Sequence, residues 1–198
     1  RRSPTLILAG GGLLVGHAVV RGLRAFTDVS TPPDAFGPAG YLLVFLGLLG
    51  LYPALADRSP WLARAAALLA VVPALDYALI LLFGFGELAG ISSRLLDVVP
   101  GSVFLPIHQG SMVLAYGLAG LGVLRTDAYP QHVGVLLLAF PVLMFALMAG
   151  TTIVSNSAAL SFVGGCATAL LHVAIGTSLG AGRTLAKRFV SVGDGTLG

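Results

Sequence analysis

Apolar stretches long enough to approach the width of a bilayer recur six times along the chain, separated by short polar punctuation. A helix rises about 1.5 Å per residue, so a hydrocarbon core about 30 Å thick takes roughly 20 apolar residues to cross. The runs at 4–24, 39–55, 61–83, 102–124, 132–152 and 158–179 are read as spans. The pattern predicts an all-α integral membrane protein, one domain over 1–198 formed by a bundle of six transmembrane helices. Two connections are longer. Residues 25–38 cannot form a continuous helix through Pro32-Pro33, and 84–101 is too polar to span but able to form a short interfacial helix. Compact polar turns at Asp57-Arg58-Ser59-Pro60, Arg125-Thr126-Asp127 and Ser155-Asn156-Ser157 close the other gaps, and beyond 179 the tail is amphipathic and basic.

The first run imitates a signal peptide, because Arg1-Arg2 precede an apolar core and no methionine opens the chain, as at a processed or trimmed start. No small-x-small cleavage pattern follows, so it is read as the first span. Gly10-Gly11-Gly12 lies inside that span with no Lys-Ser/Thr after it, which makes it a packing surface and not a phosphate loop. Gly12 and Gly16 form a small-xxx-small face. Pro73 in the third run and Pro141 in the fifth predict bends.

Composition removes the soluble alternative. Hydrophobic residues make up 57% of the 198 and charged residues 10%, against about 25% charged in a soluble domain; mean hydropathy is +0.96. The net charge of +3 comes from basic residues in short loops, which points to membrane orientation and away from nucleic acid. An even number of spans puts both termini on one side. That side carries eight basic residues (Arg1, Arg2, Arg58, Arg64, Arg125, Arg183, Lys187, Arg188) against three on the other (Arg21, Arg24, Arg94). The positive-inside rule then predicts cytoplasmic N and C termini in a cell membrane, with outer loops at 25–38 and 84–101. Trp61, Tyr52 and Tyr129 fall at the inner boundary. The preference for Arg, Ala, Gly, Leu and Val, with Lys187 the only lysine, suggests a prokaryotic, GC-rich source. Three spans lie on either side of 84–101, an arrangement open to an inverted repeat, although no residue match supports one.

Chemistry is sparse. The single Cys166 rules out an intrachain disulfide or a cysteine metal cage, and no HExxH, GxSxG or carboxylate-rich di-metal pattern occurs. An enzyme is therefore not the expectation. What stands out is Asp76, a carboxylate inside an apolar run, which costs several kcal/mol unless paired, hydrated or neutralised. Counting along the spans places His17, Asp76 and His108 each roughly 10 Å below the outer end of its helix. Tyr77, Gln109 and Ser111 lie at similar depth and complete the candidate ligand-binding set. His172 falls nearer the cytoplasmic side and is set apart.

Three functions fit these features. The first is a small binding or transport protein whose outer-half polar site takes a small ligand or ion. The second is a non-catalytic subunit held in the lipid bilayer by a membrane protein partner or by homo-oligomerisation. The third is a redox protein with haem b between His17 and His108 as axial ligands and no other cofactor, since neutral imidazoles at matched depth are what bis-His ligation needs.

Overall fold

The computed structural model describes residues 2–27, 34–88, 101–153 and 157–193. They form seven helices: α1 (Ser3–Phe26), α2 (Phe36–Leu49), α3 (Tyr52–Ala56), α4 (Pro60–Leu88), α5 (Gly101–Leu124), α6 (Gln131–Ile153) and α7 (Ala158–Gly193). Among the described residues there is no strand. Six segments of the described residues are long and apolar enough to cross a membrane: Ser3–Phe26, Phe36–Ala56, Pro60–Gly84, Leu105–Leu124, Gln131–Gly150 and Ala158–Ala181. By length and composition the chain is a multi-pass membrane bundle.

The ends of the helices follow from local chemistry. Pro4 sits in the first turn of α1, where its missing N–H is no loss. The helix stops at Thr27, whose backbone is extended and whose hydroxyl donates to the Leu23 carbonyl at 2.6 Å. Asp34 opens α2, with Oδ1 accepting from the N–H groups of Phe36 at 3.0 Å and Gly37 at 3.4 Å. Ser157 opens α7 in the same manner, its hydroxyl accepting from the Leu160 N–H at 3.0 Å.

Two details differ from the sequence expectation, in the second and third spans. The second span is not one helix over 39–55. It starts earlier, at Phe36, and breaks at Gly50-Leu51, because the ring of Pro53 clashes with the Leu49 carbonyl one turn back. The third helix passes Phe83 and ends at Leu88, so the connection expected from 84 is helical at its start, while 89–100 lies outside the described residues. The basic tail continues α7 without interruption to Gly193. The helices α4, α5 and α6 each run on through an internal proline, Pro73, Pro106 and Pro141 respectively.

Packing follows chain order. Going round the bundle, α1 packs on α2, α2 on α4, α4 on α5, α5 on α6, α6 on α7, and α7 closes the ring on α1. The interior is filled by Phe45, Tyr116, Phe140, Leu137, Ile175 and His172, all nearly or wholly buried. On α4 the usual hydrophobic sorting is inverted. Ala63, Ala66, Ala70 and Ala74 face inward. Trp61, Leu68, Leu75 and Leu82, one every seven residues, are 65%, 72%, 60% and 64% exposed. In lipid an exposed leucine carries no penalty, and small inward residues let helix backbones approach.

The glycines that permit close approach are Gly10 and Gly11, not the Gly12 and Gly16 pair. A Cβ on Gly10 would lie 2.6 Å from the Gly40 carbonyl oxygen, and one on Gly11 would lie 2.8 Å from the Val173 backbone nitrogen. A Cβ on Gly12 would meet nothing within 4 Å, and one on Gly16 would meet only the Phe36 ring, at 3.5 Å. We therefore expect Gly11→Ala to destabilise the bundle by about 1–3 kcal/mol through overpacking against backbone that cannot yield. Gly12→Ala should be neutral or slightly stabilising, from helix propensity alone. Thermal unfolding of the two variants side by side checks this; equal behaviour would contradict the assigned α1–α7 contact.

Candidate functional site

Asp76 lies on the inward face of α4, next to the lipid-exposed Leu75, and is 8% exposed. Across from it on α5 stands His108, also 8% exposed, with Nδ1 3.0 Å from Asp76 Oδ2. The other ring nitrogen, Nε2, is 3.3 Å from the hydroxyl of Tyr77. That hydroxyl has a second neighbour, the sulfur of Met112 at 3.9 Å. Ser111 does not face this group: its hydroxyl donates to the His108 carbonyl one turn back, at 2.8 Å. Three of the expected site residues, Asp76, His108 and Tyr77, thus form one line of contacts, carboxylate to imidazole to phenol.

His17 turns elsewhere. Its Nδ1 pairs with Asp34 Oδ2, the same carboxylate group that caps α2 through Oδ1. Among the described residues there are therefore two Asp–His pairs: one at the α1–α2 end, with the histidine partly exposed, and one sealed between α4 and α5. Asp34 carries a sequence signal that the span count does not use. An acid just before an apolar run is a helix-capping pattern, here hidden inside the connection 25–38.

The sealed pair continues into the core through aromatic contacts. Tyr41 stacks on Tyr77 with ring centres 4.9 Å apart and planes at 12°. On its other side Tyr41 meets His172 edge-on at 6.2 Å. His172 is fully buried. Its Nδ1–H donates to the Thr168 carbonyl at 2.7 Å, which leaves Nε2 to accept from the Tyr116 hydroxyl at 2.5 Å. That geometry calls for the neutral imidazole with its proton on Nδ1. Phe140 stacks on Tyr116 at 4.1 Å and encloses the pair. His172, set apart by its depth, is two ring contacts from Tyr77 because Tyr41 bridges the layers.

A cleft of about 340 Å³ opens beside these rings, lined by residues of α1, α2, α5, α6 and α7. Its polar lining is His17, Arg21, Tyr41, Gln109 and Ser161. Gln109 and His17 thus meet across the same space, while Tyr41 connects that space to Tyr77. A second cleft of about 330 Å³ shares Arg21 and Ser161 with the first and adds Arg24 and Phe162. Among the described residues no group of three His, Cys, Asp or Glu side chains is arranged to hold a metal ion. No family model matches the chain, and neither a curated protein nor a solved structure does, so the geometry alone carries the function.

Proposed function

We propose that this is a small membrane binding or transport protein in which a ligand occupies the cleft and a proton is exchanged at the Asp76–His108 pair. The observation that carries this is the pair itself. A buried pair of ionisable side chains in place of apolar packing is often neutral or unfavourable for stability, and ionisable side chains inside a membrane characteristically mark proton relays and ligand paths.

The relay works through hydrogen positions. With His108 neutral, Nδ1–H faces the carboxylate and Nε2 accepts from the Tyr77 hydroxyl. Once His108 takes a proton, Nε2–H donates to the phenol oxygen and the hydroxyl hydrogen turns towards the Met112 sulfur. Tyr77 senses that change and is stacked on Tyr41, which lines the cleft. Gln109, the residue after His108, lines it too. Occupancy of the cleft and the charge of the pair therefore act on shared side chains. A space of this volume suits a small organic ligand, since such sites measure about 300–1,000 Å³.

We rank the haem function below this one. Axial ligation needs an unengaged ring nitrogen on each histidine, whereas both nitrogens of His108 face protein partners.

Infrared spectroscopy of the purified protein tests the proposal. One carboxyl stretching band should titrate with pH, vanish in Asp76→Asn and move in His108→Gln. A band at Asp76 that ignores His108→Gln would sink it.

The proposed orientation has both termini in the cytoplasm. A reporter active only in the cytoplasm should work when fused after Gly198, and one active only outside should work when fused after Pro33. The reverse pattern would move the polar half of the bundle to the inner leaflet.

A further inference from the structure

We propose that the ligand of the cleft is an uncharged amphiphile, a carbonyl-bearing headgroup on an apolar tail, and that it enters sideways from the bilayer between α6 and α7. This rests on the cleft being the binding site, as above, and adds the class of molecule and its route. The first argument is the seam. Three seams of the ring bring glycine against backbone. A Cβ on Gly10 would lie 2.6 Å from the Gly40 carbonyl oxygen, one on Gly11 2.8 Å from the Val173 nitrogen, and one on Gly120 3.0 Å from the Gly134 carbonyl oxygen. The α6–α7 seam is made differently. A Cβ on Gly164 would meet the Leu147 side chain at 2.6 Å, and one on Gly150 the Leu160 side chain at 3.0 Å, with no backbone among the nearest atoms. Leu147 and Leu160 also line the cleft. So does Met148, which is 46% exposed beside Phe145 at 62% on the outer face of α6. Here leucine side chains, which can change rotamer, close the cleft where α1, α2 and α5 close it with backbone.

The second argument is what the route and the lining select. Carrying a full charge through hydrocarbon costs several kcal/mol, so a lateral route favours a neutral headgroup. Inside, Tyr41, Gln109 and Ser161 offer two hydroxyls and an amide. Among the described residues none of these three side chains has a hydrogen-bond partner, although a buried tyrosine hydroxyl usually finds one. The Tyr41 ring is held in place by its stack on Tyr77, so the hydroxyl is what it presents. Hydroxyl and amide hydrogens match the oxygen of a ligand carbonyl. Arg21 stands at the exposed end of the lining, where water screens its charge. Leu14, Met144, Leu147 and Met148 form apolar wall, and methionine adapts its shape to a varied apolar partner. A small polar solute would satisfy the donors and leave this wall unfilled, and a plain hydrocarbon would do the reverse. A neutral headgroup with a tail satisfies both.

Photolabelling of the full chain in lipid nanodiscs tests this. The probe is a monoacylglycerol with a diazirine in its chain. Its counterparts are the carboxylate and the plain hydrocarbon of the same chain and diazirine, at equal mole fraction. The neutral probe should label 144–148 and 160–165 more strongly than either counterpart. Tyr41→Phe should lower that labelling roughly two- to tenfold, the loss expected for one neutral hydrogen bond. The route is tested with Leu147→Cys and Gly164→Cys in a Cys166→Ser background, joined by a short reducible cross-linker. Joining them should abolish labelling by probe added afterwards, and reduction should restore it. Equal labelling by the hydrocarbon, stronger labelling by the carboxylate, or Tyr41→Phe labelled as wild type with unchanged melting would overturn the ligand class. Undiminished labelling of the cross-linked protein would overturn the route. Two competitors, either of them consistent with the proposal, separate the sources. Displacement by a short-tailed quinone identifies ring ketones, and displacement by unlabelled monoacylglycerol identifies an ester; displacement by neither would overturn it. Failure here and failure of the proton-exchange function are distinguishable. Labelling retained while the Asp76 band never titrates removes proton exchange alone; a titrating Asp76 with no headgroup-selective labelling removes the ligand class alone.

Discussion

Asp76→Asn is expected to leave the bundle folded and to reduce gradient-driven proton entry into proteoliposomes to the level of protein-free vesicles. The amide keeps the shape of the carboxylate and an oxygen facing His108 Nδ1, 3.0 Å away in the wild type, but it cannot take up or release a proton. Two energies set the stability side. An acid in mid-span costs about 2.5–3.5 kcal/mol on insertion scales, so removing the charge is favourable. Leaving a buried donor without its acceptor costs about 1–3 kcal/mol, so deletion of the oxygen is unfavourable. Asparagine gains the first and avoids the second, and its melting temperature should match or exceed the wild type. Asp76→Ala incurs the second and should melt lower than Asp76→Asn. His108→Gln should lose proton entry as well, because the carboxylate alone lacks a path to Tyr77. Wild-type proton entry in all three variants would remove the Asp76-centred site and favour a subunit of a larger membrane assembly.

The second large effect concerns His172. Tyr116→Phe should destabilise by about 1–3 kcal/mol, since it removes only the hydroxyl and leaves the buried Nε2 unpaired. His172→Ala should cost more, about 2–5 kcal/mol, because it opens a cavity between Tyr116, Phe140 and Tyr41. The informative variant is the double change Tyr116→Phe with His172→Leu. Replacing both polar partners with apolar groups of similar size removes the unsatisfied atom, so its loss should fall below the sum of those of Tyr116→Phe and His172→Leu made singly. Strict additivity in reversible unfolding would mean that the 2.5 Å contact is not an energetic unit.

What the sequence revealed depended on whether one dimension sufficed. The spans were legible because lipid demands unbroken apolar length, and all six recur within a few residues of their expected limits. The pairing of Asp76 with His108 and Tyr77 was partly legible, since depth can be counted along a helix. Depth alone could not separate His17 from that group, because the direction in which a side chain leaves its helix decides between Asp34 and Asp76. The same lack hid His172, whose link to the upper layer runs sideways through Tyr41. Gly12 and Gly16 had the right spacing and the wrong azimuth, while their neighbours Gly10 and Gly11 face α2 and α7. The break at Gly50 was locally encoded in Pro53 but obscured by apolar residues on both sides.

The closure of the ring has a consequence for biosynthesis. Because each long helix packs on its sequence neighbours, every hairpin leaving the translocon meets its final partner at once. The most expensive residue, Asp76, waits only for the next span before His108 reaches it. His172 is different: it arrives on α7, two helices after α5, so Tyr116 stays without its acceptor until α7 is in the bilayer. The same late step brings Val173 to Gly11 and Phe162 to Gly22. A ribosome-bound chain lacking α7 would therefore hold a complete Asp76–His108 pair inside an open, unlocked bundle, and the cleft would exist only after α7 meets α1.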